Sequence, residues 1–337
     1  MSPRKPSVTA QDVARLAGVS RAVVSRALSS NGSISPDARA RVLRAAEELG
    51  YQVNFLAQGL NRQRSHLIGV IVSRISDPFR SALLDALLNE IQRQGFQALV
   101  SEIHSEQDLA YTLRRFTQFR VSGVIVTSGQ PPEALVNECV QQHIPVVGIN
   151  RQPTIPGVDY VCSDNIAGAE LAADQLLRSG CRRFGWLNHS PSTWAGRMRG
   201  EAFSRALQAR GVDVERNLAI LACPEEGYTG GFQAAALADE ALEGIFCANA
   251  QIACGFLDGM RQRGKQAPED YQLIGFDNTP PTAQYSYQLT TLHQDVAAIS
   301  RQALARLQER TVDPLQPSRT TWVEVTLIHR RTSPFII

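Results

Sequence analysis

Residues 9–28 read TAQDVARLAGVSRAVVSRAL, which is the pattern of two short helices joined by a tight turn. Thr9 followed by Asp12 has the spacing of a capping box, so a helix is predicted to start at Ala10. Gly18 is predicted to end that helix, because glycine accepts the left-handed backbone conformation that a sharp turn needs. The stretch therefore predicts a helix, a glycine turn and a second helix.

Apolar residues at helical spacing give each of these helices one inward face. The predicted inward positions are Val13, Leu16 and Ala17 in the first helix and Val24, Ala27 and Leu28 in the second. The second helix, for which Ser20 is a good N-cap, then turns Arg21, Ala22 and Arg26 outward. This is the pattern of a helix-turn-helix, whose second helix enters the DNA major groove by its N-terminal end. An ordinary helical hairpin is the alternative.

A third helix is predicted to start at Ser35-Pro36, an N-cap followed by proline at the first helical position, and to end at Gly50. Residues 1–53 are thus expected to form an all-α headpiece. A hinge follows over residues 54–66, where Leu56 and Leu60 lie one helical turn apart. A helix this short is only marginally stable in isolation, so we expect it to form when it contacts DNA or a second copy of itself. Leu60 is then predicted to insert into the minor groove as an apolar wedge. A plain linker is the alternative.

Charge divides the chain in the same way. Residues 1–66 carry ten Lys/Arg against four Asp/Glu, whereas the whole chain of 337 residues has a net charge of only +2. A basic head on a mildly acidic body suggests that only the head meets nucleic acid. Six scattered cysteines without a CxxC pair fit a reducing compartment, and the sequence suggests neither a signal peptide nor a membrane span. We therefore expect a cytoplasmic protein.

From Leu67 onward, apolar strand patterns alternate with helical ones, which predicts parallel sheets covered on both sides. The strand runs cover 67–73, 98–103, 123–128, 145–150, 158–164, 182–188, 244–249 and 272–277. These are too many βα units for one sheet, so two α/β lobes are expected. A ligand would bind at the carboxyl ends of the strands. Polar residues cluster there: Ser73, Asp77, Asn150, Arg151, Ser163, Asp164, Asn249 and Asp277.

Motifs of an enzyme are missing from the sequence. It has no GxSxG, no Walker A, no HExxH and no GxGxxG after a strand, and its six histidines are dispersed. We therefore expect a binding protein that is not an enzyme and that needs no metal or cofactor.

Several phrases in order resemble the lactose-repressor family of bacterial transcription regulators. DVARLAGVSRAVVSRAL is similar to the family's DVAxxAGVSxxTVSRxL, and ELGYQVN and AQGLNRQRSHLIGVIV follow it. The body then has DPF (77–79), INR (149–151), SDNIAG (163–168), RGEAF (199–203), LIGFDN (273–278) and LTTLHQD (289–295). Each phrase is weak alone, but together they span residues 8–333.

The resemblance implies a periplasmic-binding-protein-like body of two lobes below the helix-turn-helix headpiece. The first lobe is expected over about 67–163 and 294–320, and the second over about 164–293 and 321–337, with WVEVTLIHRR adding a strand to the second. The family also implies a homodimer on a near-palindromic operator in double-stranded DNA. A solute-binding protein without DNA function shares the two-lobed body and is the alternative.

The arginine guanidinium can donate two hydrogen bonds to the O6 and N7 atoms of guanine, so Arg26 and Arg21 are assigned to base contacts. The methyl group of Ala22 is assigned to a contact with thymine. The resemblance implies phosphate contacts for Thr9, Ser20, Ser25 and Asn54. Leu56 and Leu60 of the hinge are assigned to the minor groove. A merely capping or solvated role is the alternative for the polar residues.

For the effector, Arg197 matches the family arginine that clamps a hydroxyl or carboxylate. The remaining expected contacts are Ser73, Asp77 and Phe79 from the first lobe, Asn150 at the crossover, and Asp164, Thr193, Asn249 and Asp277. A sugar, sugar acid or nucleoside-like molecule would suit such a pocket. Glu226 stands where the family has a pocket aromatic, and Ala250 where it has an aspartate, so the chain departs from the family at these two pocket positions.

Overall fold

The computed structural model describes residues 8–28, 34–51, 65–127, 133–189 and 193–334. The chain divides into two compact units, Met1–Ser65 and His66–Ile337. Residues 54–64 of the predicted hinge, which include Asn54, Leu56 and Leu60, lie outside the described residues.

The N-terminal unit contains three helices, α1 (Ala10–Ala17), α2 (Arg21–Ala27) and α3 (Pro36–Glu48). The predicted capping box is present: the Asp12 amide donates to the Thr9 hydroxyl, and the Asp12 carboxylate accepts from the Thr9 amide at 3.0 Å. Gly18 has a left-handed φ of 63° and ends α1. Ser20 and Ser35 cap the next two helices, as their local sequence predicts.

The core of this unit is smaller than the sequence pattern predicts. Val13, Val24 and Val42 are buried and pack with alanines of all three helices. Leu16, predicted to face inward, is 47% exposed. The buried face of α1 consists of Val13, Ala14 and Ala17, and this turns Leu16 toward solvent. Because alanine is small, the helices can approach one another closely at this face.

Each lobe of the C-terminal unit is built on a six-stranded sheet. The first lobe's sheet contains β1 (Leu67–Val72), β2 (Gln97–Glu102), β3 (Gly123–Val126), β4 (Val146–Ile149), β5 (Asp159–Ser163) and β11 (Thr320–Val323). The second lobe's sheet contains β6 (Phe184–His189), β7 (Leu218–Cys223), β8 (Gly244–Cys247), β9 (Gln272–Asp277), β10 (Thr290–Gln294) and β12 (Val325–Ile328).

The strand order is β11-β5-β4-β3-β1-β2 in the first sheet and β12-β10-β9-β8-β6-β7 in the second. All pairs are parallel except β10 with β12. The connecting helices are α4 (Pro78–Arg93), α5 (Glu106–Gln118), α6 (Glu133–Gln141), α7 (Asn165–Arg178), α8 (Trp194–Ala209), α9 (Val214–Asn217), α10 (Gly227–Leu237), α11 (Ala250–Gln262) and α12 (Val296–Val312), with a 3-10 turn at Pro280–Ala283. Such sheets place their strands' carboxyl ends at one edge, where a ligand can lie.

The last crossing between the lobes differs from the expected one. The segment WVEVTLIHRR adds the predicted strand, β12, to the second lobe's sheet, but the boundary predicted near residue 320 lies later in the chain. Trp322 and Val323 instead pair with Cys162 and Ser163 in the first sheet, and the chain crosses at Glu324. β11 pairs in parallel with β5 as far as Ser163, the last residue of β5, so the chain stays in the first sheet up to Val323.

The predicted strand runs also leave out β7, β10, β11 and β12, of which only β12 was predicted, as part of WVEVTLIHRR. β7 is an edge strand whose residues alternate in burial, and its Ile220 is 67% exposed. All six cysteines are buried and free. Among the described residues, no helix has both the length and the apolar character that a bilayer span requires.

Candidate functional site

The exposed face of α2 carries the polar residues predicted to meet DNA. Arg21, Ala22, Ser25 and Arg26 are all exposed, whereas Val24 and Ala27 face the core. The Arg26 Nε donates to the Ala22 carbonyl at 3.3 Å, which lays its side chain along the helix surface. The hydroxyls of Thr9 and Ser20 accept from backbone amides as helix caps, so these two residues have a structural role whatever else they contact.

A cavity of about 410 Å³ lies between the two lobes, at the carboxyl ends of their strands. Its first-lobe wall is Arg74, Ser76, Asp77 and Arg80, and its second-lobe wall includes Asn188, His189, Thr193, Arg199, Glu226, Tyr228, Asn249 and Gln251. Among the predicted effector residues, Asp77, Thr193 and Asn249 lie at this cavity.

Those three residues share a second role, because each caps a helix that begins at the cavity. Asp77 Oδ1 accepts from the amides of Phe79 and Arg80 at the start of α4, at 2.9 and 3.1 Å. Thr193 Oγ1 accepts from Gly196 in α8 at 3.1 Å, and Asn249 Oδ1 accepts from the third residue of α11 at 2.9 Å. Their positions are therefore fixed by local helix chemistry.

Arg199 is the buried arginine of the cavity. Its Nε donates to Asn165 Oδ1 at 2.7 Å and its Nη1 to the Ala248 carbonyl at 2.6 Å. The guanidinium lies over the Phe276 ring, 3.5 Å from the centroid. Burial lowers the pKa of Arg199 to about 10, so the group is still charged at neutral pH. A fixed, charged guanidinium at a cavity wall suits a ligand oxygen.

The structure places Arg197 elsewhere, which corrects the expected assignment of the clamp. Arg197 lines a separate surface depression with Trp186, Glu201 and Arg205. Two residues along an α-helix correspond to a rotation of about 200°, so Arg197 and Arg199 project to opposite sides of α8. Packing, which the local sequence does not specify, decides which of the two arginines faces the cavity.

A hydrogen-bond chain joins the cavity wall to the crossing between the lobes. Gln294 Nε2 donates to Asp277 Oδ1 at 2.6 Å, and its Oε1 accepts from Ser163 Oγ at 2.5 Å and Asn150 Nδ2 at 3.3 Å. Asn150 Oδ1 in turn accepts from the Ser163 amide at 2.8 Å. The predicted residues Asn150 and Asp277 therefore meet through Gln294, which the sequence analysis did not single out.

Backbone strain marks the same two residues. Asn150 has a φ of 52° and Asp277 a φ of 90°, both in the left-handed region that side chains usually avoid. Residues held in this way tend to occur at ligand sites and switches. Burial raises the pKa of Asp277 to about 6, although the nearby Arg199 opposes the shift.

The other predicted residues lie outside the cavity. Ser73 borders a neighbouring depression, where its carbonyl and hydroxyl accept from Arg80 Nη1 at 3.0 and 2.5 Å. Phe79 packs against the core of the first lobe. Asp164 caps α7 by accepting from the Ala167 amide at 2.9 Å.

Two further features of the cavity were not predicted. Arg74 from the first lobe and Glu226 from the second form an ion pair across the cleft. Tyr228 lines the cavity while its hydroxyl donates to Asp258 at 2.8 Å, and Tyr287 donates to the same carboxylate oxygen at 2.9 Å. Within the described ranges, no three His, Cys, Asp or Glu side chains come together as a metal site would require.

Comparisons with known proteins agree with this architecture. Residues 9–54 match the family model described as bacterial regulatory proteins, lacI family, and residues 173–333 match a periplasmic binding protein-like domain. The HTH-type transcriptional regulator GalS of Salmonella typhimurium is 31% identical over 96% of this chain and 96% of its own.

Solved structures give the same result. A lac repressor dimer bound to operator and an anti-inducer shares the fold, with a TM-score of 0.84 at 22% identity over 98% of this chain and 100% of that one. A LacI family transcriptional regulator from Enterococcus faecium with bound ribose has a TM-score of 0.72 and 26% identity over 80% of this chain and 100% of that one. With a helix-turn-helix unit, a two-lobed body and relatives matched along nearly its whole length, the chain belongs to the lacI family of bacterial regulatory proteins.

Proposed function

We propose that the protein is a transcriptional repressor whose affinity for its operator is controlled by a small molecule bound between the lobes. One observation carries the proposal: the same chain has an exposed, basic recognition helix and an interlobe cavity lined by charged and polar groups. GalS, which is 31% identical, is named a transcriptional regulator, and this supports the same role here.

On the DNA side, α2 is proposed to enter the major groove. Arg26 and Arg21 would each present a fork to guanine, a contact worth about 1–3 kcal/mol of discrimination, and Ala22 a methyl to thymine. Phosphate contacts are assigned to Thr9, Ser20, Ser25 and Asn54, and minor-groove contacts to Leu56 and Leu60. Two copies related by a two-fold axis would then read a near-palindromic site.

On the effector side, the proposed contacts come from both lobes. Asp77 would approach from the first lobe, and Thr193, Arg199 and Asn249 from the second, with Asp277 behind Arg199. Ribose bound to the Enterococcus faecium relative supports a polar, hydroxyl-bearing ligand of this size. A ligand that contacts both lobes favours the lobe arrangement in which all its contacts are made at once.

Linkage then connects the two sites. Effector binding changes the balance between lobe arrangements, which alters how the two hinge segments of the homodimer meet the minor groove. Coupling of this kind is commonly about 1–3 kcal/mol, and the operator must change effector affinity by the same factor.

Selection of bound DNA from a random pool, followed by gel shifts at two salt concentrations, tests the proposal. We expect a near-palindromic consensus whose binding weakens as salt rises, and an affinity that changes when the effector is added. Residues 67–337 serve as the control and should bind no operator. A chain that binds small molecules but selects no sequence would instead be a solute-binding protein.

A further inference from the structure

The interlobe cavity is lined by more arginines than carboxylates, three against Asp77 and Glu226. Arg74, Arg80 and Arg199 all line it. The pKa of Arg80 is lowered by burial and then by the charge of Arg74, so these two cations lie close enough to repel one another. Arg151 is also buried, and both Arg80 and Arg74 contribute to lowering its pKa to about 10.

The acidic groups near the cavity already have partners. Asp77 accepts from two amides of α4, and Asp277 accepts from Gln294 and from the Ala250 amide at 3.4 Å. Glu226 pairs with Arg74 across the cleft. Glu226 is thus a half-exposed carboxylate that pairs with a cavity arginine, at the position where the two lobes face one another.

Helix dipoles add to the positive potential. Four helices of eleven residues or more, α4, α8, α10 and α11, begin at the cavity wall. The N-cap residue of α10, Glu226, makes no side-chain hydrogen bond to the first turn of its helix. Aligned backbone N–H groups at helix N-termini favour anions, and guanidinium groups beside them add charge-assisted hydrogen bonds.

We propose that the effector is a small hydroxylated anion, a sugar carboxylate or a sugar phosphate, whose charged group binds to Arg80 and Arg74. Arg199 and Asn249 hold its hydroxyl groups from the second lobe. The anion competes with Glu226 for Arg74, so the Glu226 carboxylate pairs with Arg74 when no effector is bound. This inference rests on the proposed function and specifies the chemical class of its ligand.

The test uses isothermal titration and thermal unfolding of the full chain at constant ionic strength. The probes are glucose, gluconate, glucose 6-phosphate, ribose, ribose 5-phosphate and inorganic phosphate. We expect the anions to bind at least about tenfold more tightly than their neutral counterparts, as a charge-assisted contact of about 1.4 kcal/mol would give. The gluconate and phosphate arms distinguish a carboxylate from a phosphate effector.

Two variants with opposite expected signs separate recognition from folding. Arg80→Gln should weaken anion binding about tenfold, while Glu226→Gln should strengthen it, because the competing carboxylate is gone. Arg182→Gln is the matched control, since Arg182 is exposed on the second lobe and lines a different depression. A variant that merely damaged the fold would weaken binding in both cases.

Three results would overturn the inference: neutral probes that bind as tightly as the anions, no anion-dependent stabilisation with any probe, or a Glu226→Gln variant that does not gain anion affinity. DNA selection on the same preparation separates this from the proposed function. Operator binding with a cavity indifferent to anions overturns only the inference, whereas loss of sequence-specific DNA binding overturns the regulator itself.

Discussion

Arg199 Nη1 lies 3.8 Å from Asp277 Oδ1, and both side chains are almost excluded from water at the joint between the lobes. Gln294 continues this contact to Ser163 and Asn150, which belong to the first lobe's strand ends. Arg199 at the cavity wall is therefore connected to the crossing segments by an ion pair to Asp277, followed by the hydrogen bonds of Gln294. Any ligand that moves Arg199 acts on a buried network that spans both lobes.

The burial of Asp277 predicts a pH dependence of stability. Its pKa is about 6 in the folded protein, whereas an unfolded aspartate titrates near 3.9. Between these values the folded state binds more protons, so the free energy of unfolding should fall as pH rises from about 4 to about 6. The pKa shift corresponds to a decrease in the free energy of unfolding on the order of 2–3 kcal/mol, and this decrease is complete above about pH 6.

Urea unfolding of the body between pH 4 and pH 7 measures this slope. Asp277→Asn should flatten it, because the amide does not titrate. Asp85→Asn, on the exposed side of α4, is the control and should leave the slope unchanged. Identical slopes in the wild type and the Asp277 variant would show that another group carries the titration.

Local chemistry explains why the headpiece was predictable. Thr9, Gly18 and Ser20 act within three or four residues of themselves, so their caps and turn can be recognised in the sequence. Buried parallel strands are apolar nearly throughout, which makes them visible as runs. The edge strand β7 is also apolar throughout, as LAILAC, but most of its residues are only partly buried or exposed and its Ile220 faces solvent, so the run alone does not show its place in the sheet. Its existence depends on pairing with β6, a neighbour in the fold rather than in the sequence.

The candidate site was predictable in part for the same reason. Asp77 and Asn249 were found because they follow strands, and the carboxyl ends of parallel strands meet at one edge. Arg199 was missed because the rotation of α8 is set by packing: a Cβ on Gly200 would lie 2.5 Å from Trp186, so this face must lie against β6. Gln294 contacts Asn150 across 144 residues, a relationship no local pattern contains.

Base discrimination by Arg26 can be tested against a matched arginine. Arg26→Ala should relax sequence preference at one position of each half-site by about 1–3 kcal/mol. Arg44 is the control because it is also exposed and its Nε likewise donates to the carbonyl four residues earlier, in α3. Arg44→Ala should leave the consensus intact. Selection from a random pool measures both, and an unchanged consensus for Arg26→Ala would exclude the assigned base contact.

Gln294 should stabilise the joint between the lobes. Gln294→Leu removes one donor and one acceptor at a buried site, leaving Asp277 and Ser163 without that partner. Such unsatisfied groups cost about 1–3 kcal/mol each, so a loss of at least about 2 kcal/mol in the free energy of unfolding is expected. Gln308→Leu, at an exposed position of α12, should change little. Equal urea midpoints for the two variants would contradict a structural role of the network.

The wall that carries Tyr228 depends on the close packing of α10 against α11. A Cβ built on Gly255 of α11 would lie 1.9 Å from the Tyr228 carbonyl oxygen, so an alanine there must push the two backbones apart. Gly255→Ala should therefore lower the free energy of unfolding by about 1–3 kcal/mol, the usual cost of overpacking, despite alanine's better helix propensity.

The same displacement would move Tyr228, whose ring lines the cavity and whose hydroxyl is held by Asp258. Titration of the Gly255→Ala variant with the tightest probe of the wild type should then give weaker binding. Gln262→Ala is the control, since Gln262 lies exposed near the end of α11 and should change stability by less than about 0.5 kcal/mol. A Gly255→Ala variant as stable as the control would mean that α11 can shift without disturbing α10, and the cavity wall would not depend on that contact.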